Sequence, residues 1–226
     1  ECLSLVILAE LVRENNRLRN EDKKHYYLTY LVIVAAAAME WIAVRLNGAP
    51  AWTRPIHAVT KALDYILTPA IGFVFVRQIS RDSRWNRMIL GVLAANTVLQ
   101  VLSLFTGWTF VLNENNTYAH GPCYWIYMVF YSAVIALIVL QLYEHSQRYK
   151  YQNRLSLYLI MGLAAAGIGL QEVTGGEFRL SYITLTLACV LMYIRSMEYF
   201  QQEDSETLHQ QRMLLDTDAL TGMLSR

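Results

Sequence analysis

Six stretches of this chain are long and apolar enough to cross a bilayer, and nothing else in it constrains the fold as strongly. A spanning helix needs about 20 mostly apolar residues. Residues 26–46, 56–76, 88–111, 124–143, 155–174 and 180–199 each reach that length. One more stretch, 3–12, comes first in chain order and makes seven; it is shorter and is expected to be the inner end of a first helix whose start is missing. Inside lipid every backbone N–H and C=O needs a partner within the protein, which selects helices. The expected fold is an all-α membrane protein: a seven-helix transmembrane bundle, its first helix truncated, followed by a cytoplasmic signalling helix. Composition agrees. Hydrophobic residues make up 55% and charged residues 16%, against about 45–50% and about 25% in soluble domains.

The charges that do occur are placed, not scattered. Arg13, Arg17, Arg19, Lys23 and Lys24 follow the first stretch, Arg77, Arg81, Arg84 and Arg87 follow the third, and Arg148, Lys150 and Arg154 follow the fifth. The three alternate loops hold Arg54 and Arg179, so the bias is twelve to two. Basic residues near helix ends stay in the cytoplasm, which predicts an outside N-terminus and a cytoplasmic C-terminus. The net charge of +1 gives no reason to expect a nucleic-acid partner. Cys2, Cys123 and Cys189 have neither disulfide-framework nor metal-site spacing. No loop is long enough for a domain; the longest, "LNENNTYAHGPCYW", is a lid or cap at most.

Polar groups inside a membrane are costly and mark function or fixed packing. In the third stretch His57, Lys61, Asp64 and Thr68 stand at offsets 0, 4, 7 and 11. At about 100° per residue they form one stripe. Lys61 and Asp64 can pair along the helix. Glu40 and Arg45 in the second stretch, and Gln171 and Glu172 in the sixth, bring further polar groups to the outer half. Glu40, Arg45, His57, Lys61, Asp64 and Glu172 are therefore the candidate ligand-binding residues of a pocket open to the outside. The other reading is a set of interhelical ion pairs that only fix packing. Asn96, Gln100, Ser103 and Gly107 form a milder stripe in the fourth stretch and read as interhelical packing. Tyr124, Tyr127 and Tyr131 line one side of the fifth. A phosphate loop and a His-Glu-x-x-His motif are both absent from the sequence. A retinal-type Schiff base finds no lysine in the last stretch, and His57 and His120 alone are weak as metal ligands.

Beyond Tyr199 the chain turns polar: "FQQEDSETLHQQRMLLDTD" lacks Gly and Pro. Ile194, Met197, Leu208 and Leu215 recur near heptad spacing, with Gln201, Asp204 and Gln211 in the seam. This reads as a marginal coiled coil or a plain solvated helix.

The tail "DALTGMLSR" resembles the opening of the GGDEF domain of diguanylate cyclases, usually Asp-x-Leu-Thr-Gly-Leu-x-Asn-Arg. Asp218, Leu220, Thr221, Gly222 and Arg226 match, while Met223 and Ser225 depart from it. The stretches "KALDYILTPAIGFVF" and "NENNTYAHGPCYWIY" look like segments of the seven-helix sensor region that precedes some bacterial histidine kinases and diguanylate cyclases, through Tyr65, Pro69, Tyr118, Gly121, Pro122 and Tyr124-Trp125. The resemblance implies a sensor domain at 1–199, a signalling linker at 200–215 and the start of a GGDEF domain at 216–226. It implies a multi-pass protein of the bacterial inner membrane, a homodimer, that couples an unknown small-molecule signal to cyclic di-GMP synthesis. No cofactor is expected in this fragment, which has no catalytic residues. Mg2+ and GTP are expected at the remainder of the GGDEF domain. The alternatives are a membrane anchor that dimerises without a ligand, and a small-molecule transporter.

Overall fold

The computed structural model describes residues 2–16, 18, 20–79, 84–146, 158–160, 162–163, 166–167, 183–195 and 197–198, and most of the apolar sequence among them is helical. The chain divides into two units, Glu1–Arg154 and Leu155–Arg226. The first holds helices α1 (Cys2–Glu14), α2 (Asn20–Leu46), α3 (Arg54–Ile79) and α4 (Arg84–Thr106), strands β1 (Phe110–Leu112) and β2 (Tyr118–His120), and helix α5 (Tyr124–Ser146). In the second, Ile183–Arg195 forms an apolar helix, α6. Among the described residues four helices are long and apolar enough to cross a membrane. Most of 155–174, and all of 200–226 with the linker and the GGDEF-like motif, lie outside the described residues.

Local chemistry sets the ends. Glu21 and Asp22 sit in the first turn of α2, where carboxylates meet the positive end of the helix. That start lies six residues before the apolar stretch at 26. Gly48, at φ 76°, closes α2, and Gly107, at φ 69°, closes α4. The fourth apolar stretch was expected to run to residue 111, but α4 stops at Thr106. Once Gly107 turns the backbone, Phe110–Leu112 pairs antiparallel with Tyr118–His120, Phe110 opposite His120 and Leu112 opposite Tyr118. The expected lid is thus a β-hairpin.

Cross-links show that α2 to α5 run alternately up and down. Thr29 at the start of α2 donates to Val74 O near the end of α3, 3.3 Å away. Gln141 near the end of α5 donates to Asn86 near the start of α4, 3.0 Å away. The hairpin therefore occupies one end of the unit. Lys23, Lys24, Arg77, Arg84 and Arg87, at the starts of α2 and α4 and the end of α3, lie toward the other end.

Polarity is arranged inside out. Leu31 is 65% exposed and Phe105 85%, while Asn96 is 1% and Gln100 0% exposed. A water-soluble bundle buries its leucines and solvates its amides. Apolar surface outside and satisfied amides inside suit a hydrocarbon surround.

Candidate functional site

The stripe on α3 divides between two sites. Lys61 Nζ donates to Asp64 Oδ2 at 2.8 Å, with both side chains largely buried. Thr68 Oγ1 donates to Asp64 O at 2.8 Å and stands 3.4 Å from Asp64 Oδ1. The Lys61 ammonium also lies 5.1 Å from the centre of the Tyr65 ring and 5.0 Å from that of Tyr118. Two ring faces and one carboxylate thus hold one cation. Asp64 is its one hydrogen-bond partner among the described residues and takes one of its three N–H donors.

Around this cation α3, both strands and α5 bring aromatic rings together. The Tyr65 and Tyr118 hydroxyls are hydrogen-bonded to each other. Tyr118 OH stands 2.8 Å from His120 Nδ1. Tyr65 stacks on Tyr127 with centroids 4.5 Å apart, and Tyr127 on Tyr131 at 6.0 Å. Phe110 meets the edge of Tyr65, and His120 lies 4.0 Å from Tyr124.

His57 belongs elsewhere. It is fully buried, and its Nδ1 lies 3.0 Å from Asn116 Oδ1. The Asn116 amide nitrogen donates to Leu46 O at 2.9 Å and to Thr53 Oγ1 at 3.0 Å, so its oxygen is the acceptor and His57 Nδ1 carries the proton. Asn116 also accepts from the Gly48 N–H, 3.1 Å from its main-chain oxygen. Its φ of 56° is a left-handed value that asparagine tolerates. These bonds latch the hairpin loop onto the turn between α2 and α3. Gly121 closes the other side of the hairpin, where a Cβ would stand 2.4 Å from the carbonyl oxygens of Gly107 and Trp108.

A third set of bonds ties α4 to α3. Pro69 lies inside α3 and has no N–H to give the carbonyl four residues back. That carbonyl is Tyr65 O, and Asn96 Nδ2 of α4 donates to it at 3.0 Å. Gln100 Nε2 donates to Asn96 Oδ1, and Thr109 Oγ1 donates to Gln100 Oε1 at 2.8 Å. The Thr109 N–H donates to Ser103 Oγ at 2.7 Å. The stripe expected to be plain packing therefore runs as one hydrogen-bonded chain from the hairpin to the proline gap behind Tyr65.

Of the expected site residues, Lys61 and Asp64 meet. Glu40 is half-buried on α2 and makes no salt bridge to Lys61. Arg45 is exposed and covers the Trp41 ring at 5.3 Å. Glu172 lies outside the described residues. Tyr118 and His120, absent from the expected set, complete the cluster, and His120 does not meet His57. Comparison with family models, curated proteins and solved structures finds no match.

Proposed function

We propose that this chain is the signal-sensing membrane region of a bacterial diguanylate cyclase. Seven helices span the inner membrane, with the N-terminus outside and the hairpin external. A small molecule that reaches Lys61 shifts α3, and the last helix passes the shift through residues 200–215 to a GGDEF domain in a homodimer. The output half of this reading rests on the resemblance of Asp218, Leu220, Thr221, Gly222 and Arg226 to the opening of that domain. Mg2+ and GTP would be bound there.

The observation that supports reception most strongly is the setting of Lys61. An ammonium within a spanning helix costs about 2.5–3.5 kcal/mol on insertion scales. Lys61 meets that cost with one carboxylate and two ring faces, and among the described residues two of its N–H donors have no partner. Its ring partner Tyr65 carries the carbonyl left open by Pro69. A ligand that draws Lys61 away from Asp64 would therefore act within one turn of the place where α3 relies on Asn96 for a hydrogen bond.

Lys61→Met tests the reading in the protein joined to its output domain. Cyclic di-GMP is measured across growth conditions, with the membrane-inserted level as control. The expected result is output fixed at one level at normal insertion. Output that still responds would remove Lys61 from reception and leave an anchor or a packing pair.

A further inference from the structure

At the hairpin end, a cavity of about 600 Å³ opens between the first turn of α3, the last turn of α4 and β1. Its volume is that of a small-ligand site. Pro55, Ala58, Leu104, Phe105 and Phe110 make its walls largely apolar, and Phe105 is 85% exposed. Arg54 stands at the rim. One guanidinium nitrogen donates to Leu112 O at 2.5 Å, which fixes the group's orientation. The guanidinium carries five N–H donors, and among the described residues four of them have no partner. Among the described residues no carboxylate pairs with it.

Depth identifies the occupant. The candidate spans Ala51–Arg77 and Arg84–Thr106 begin and end at this cavity. In a bilayer that is the headgroup level, where a phosphate lies above and acyl chains below. A planar guanidinium with free donors recognises phosphate bidentately. The apolar wall suits the first carbons of a chain and offers a soluble anion nothing. The Ser103 hydroxyl on the wall is already engaged with Thr109. We propose that this groove holds one anionic phospholipid, its phosphate on Arg54 and the start of an acyl chain against Leu104 and Phe105. The site is separate from Lys61 and stands whether or not the chain is a sensor.

The test places a photoreactive benzoylphenylalanine at Phe105 in the chain reconstituted into vesicles of equal phosphatidylglycerol and phosphatidylcholine. Adducts are identified by mass spectrometry. One basic residue near the membrane surface is worth about 1 kcal/mol toward anionic lipid, so phosphatidylglycerol adducts should exceed phosphatidylcholine adducts about five-fold. Arg54→Gln should bring the ratio to about one, and Arg54→Lys should keep most of it. The same probe at Val98, exposed in the middle of α4, should show no preference and reports intact insertion. Equal adducts at position 105 in the unsubstituted background would mean ordinary boundary lipid and overturn the proposal. So would a preference that survives Arg54→Gln, or one abolished by millimolar inorganic phosphate.

Discussion

Replacing Asn96 by leucine removes the group that covers the gap Pro69 leaves in α3. Asn96 donates to Tyr65 O at 3.0 Å and accepts from Gln100 Nε2 at 3.2 Å, so Asn96→Leu orphans a carbonyl and an amide at once. An orphaned buried polar group costs about 1–3 kcal/mol in a water-referenced fold. Side-chain hydrogen bonds between helices in membranes average only about 0.6 kcal/mol and reach about 1.7, because the unfolded state finds partners too. The low figure suits the Gln100 amide, whose oxygen keeps Thr109. The high figure suits Tyr65 O, because its own helix has no N–H to offer. The sum is about 2 kcal/mol. Pro69→Ala returns that N–H, and in its background Asn96→Leu should cost about 1 kcal/mol less. Reversible unfolding in mixed detergent micelles, measured on the parent, both single variants and the double variant, reads the coupling directly. Additivity within about 0.3 kcal/mol would refute the proline-gap account, since independent sites add to that precision.

Two further outcomes follow from the hairpin. Gly121→Ala should destabilise the unit by about 2 kcal/mol, an overpacking cost against backbone that cannot swing aside, read as a lowered midpoint in the same unfolding assay. Glu114→Cys, on the exposed tip, should react with an impermeant thiol reagent in intact cells, whereas Asn116→Cys should react slowly because that position is fully buried; silence at 114 with labelling only after lysis would reverse the proposed orientation.

The helices of membrane-crossing length were legible because length and apolarity decide them, and α2, α3 and α5 lie where the sequence places them. The end of α4 was not, because Phe110, Val111 and Leu112 extend the apolar run without a break. Only Gly107 marks the stop, and a three-residue strand is too short to show alternation. Helical spacing put His57 with Lys61 correctly on one face. It could not say that one turn of rise carries His57 up to the loop, where Asn116 claims it. Lys61 and Asp64 were found from i,i+3 spacing, which needs no tertiary knowledge. Tyr118 and His120 reach the cluster only through the hairpin register. Asn96 had a readable clue: a proline inside a spanning helix leaves a carbonyl that some neighbouring side chain must cover.

The latch at Asn116 also has a consequence for sequence drift. Two of the three acceptors that share its two amide hydrogens are main-chain oxygens, of Leu46 and Ala49, and the Gly48 N–H reaches the carbonyl of Asn116. Main chain is the same whatever side chain it bears. Residues 46 and 49 are therefore free to exchange for others of similar size without loosening the loop. Asn116 is not: aspartate keeps the oxygen but loses the donor, and leucine loses both and strains at a positive φ. In a lineage of such chains, the turn between α2 and α3 should wander at these positions while the asparagine opposite it stays fixed.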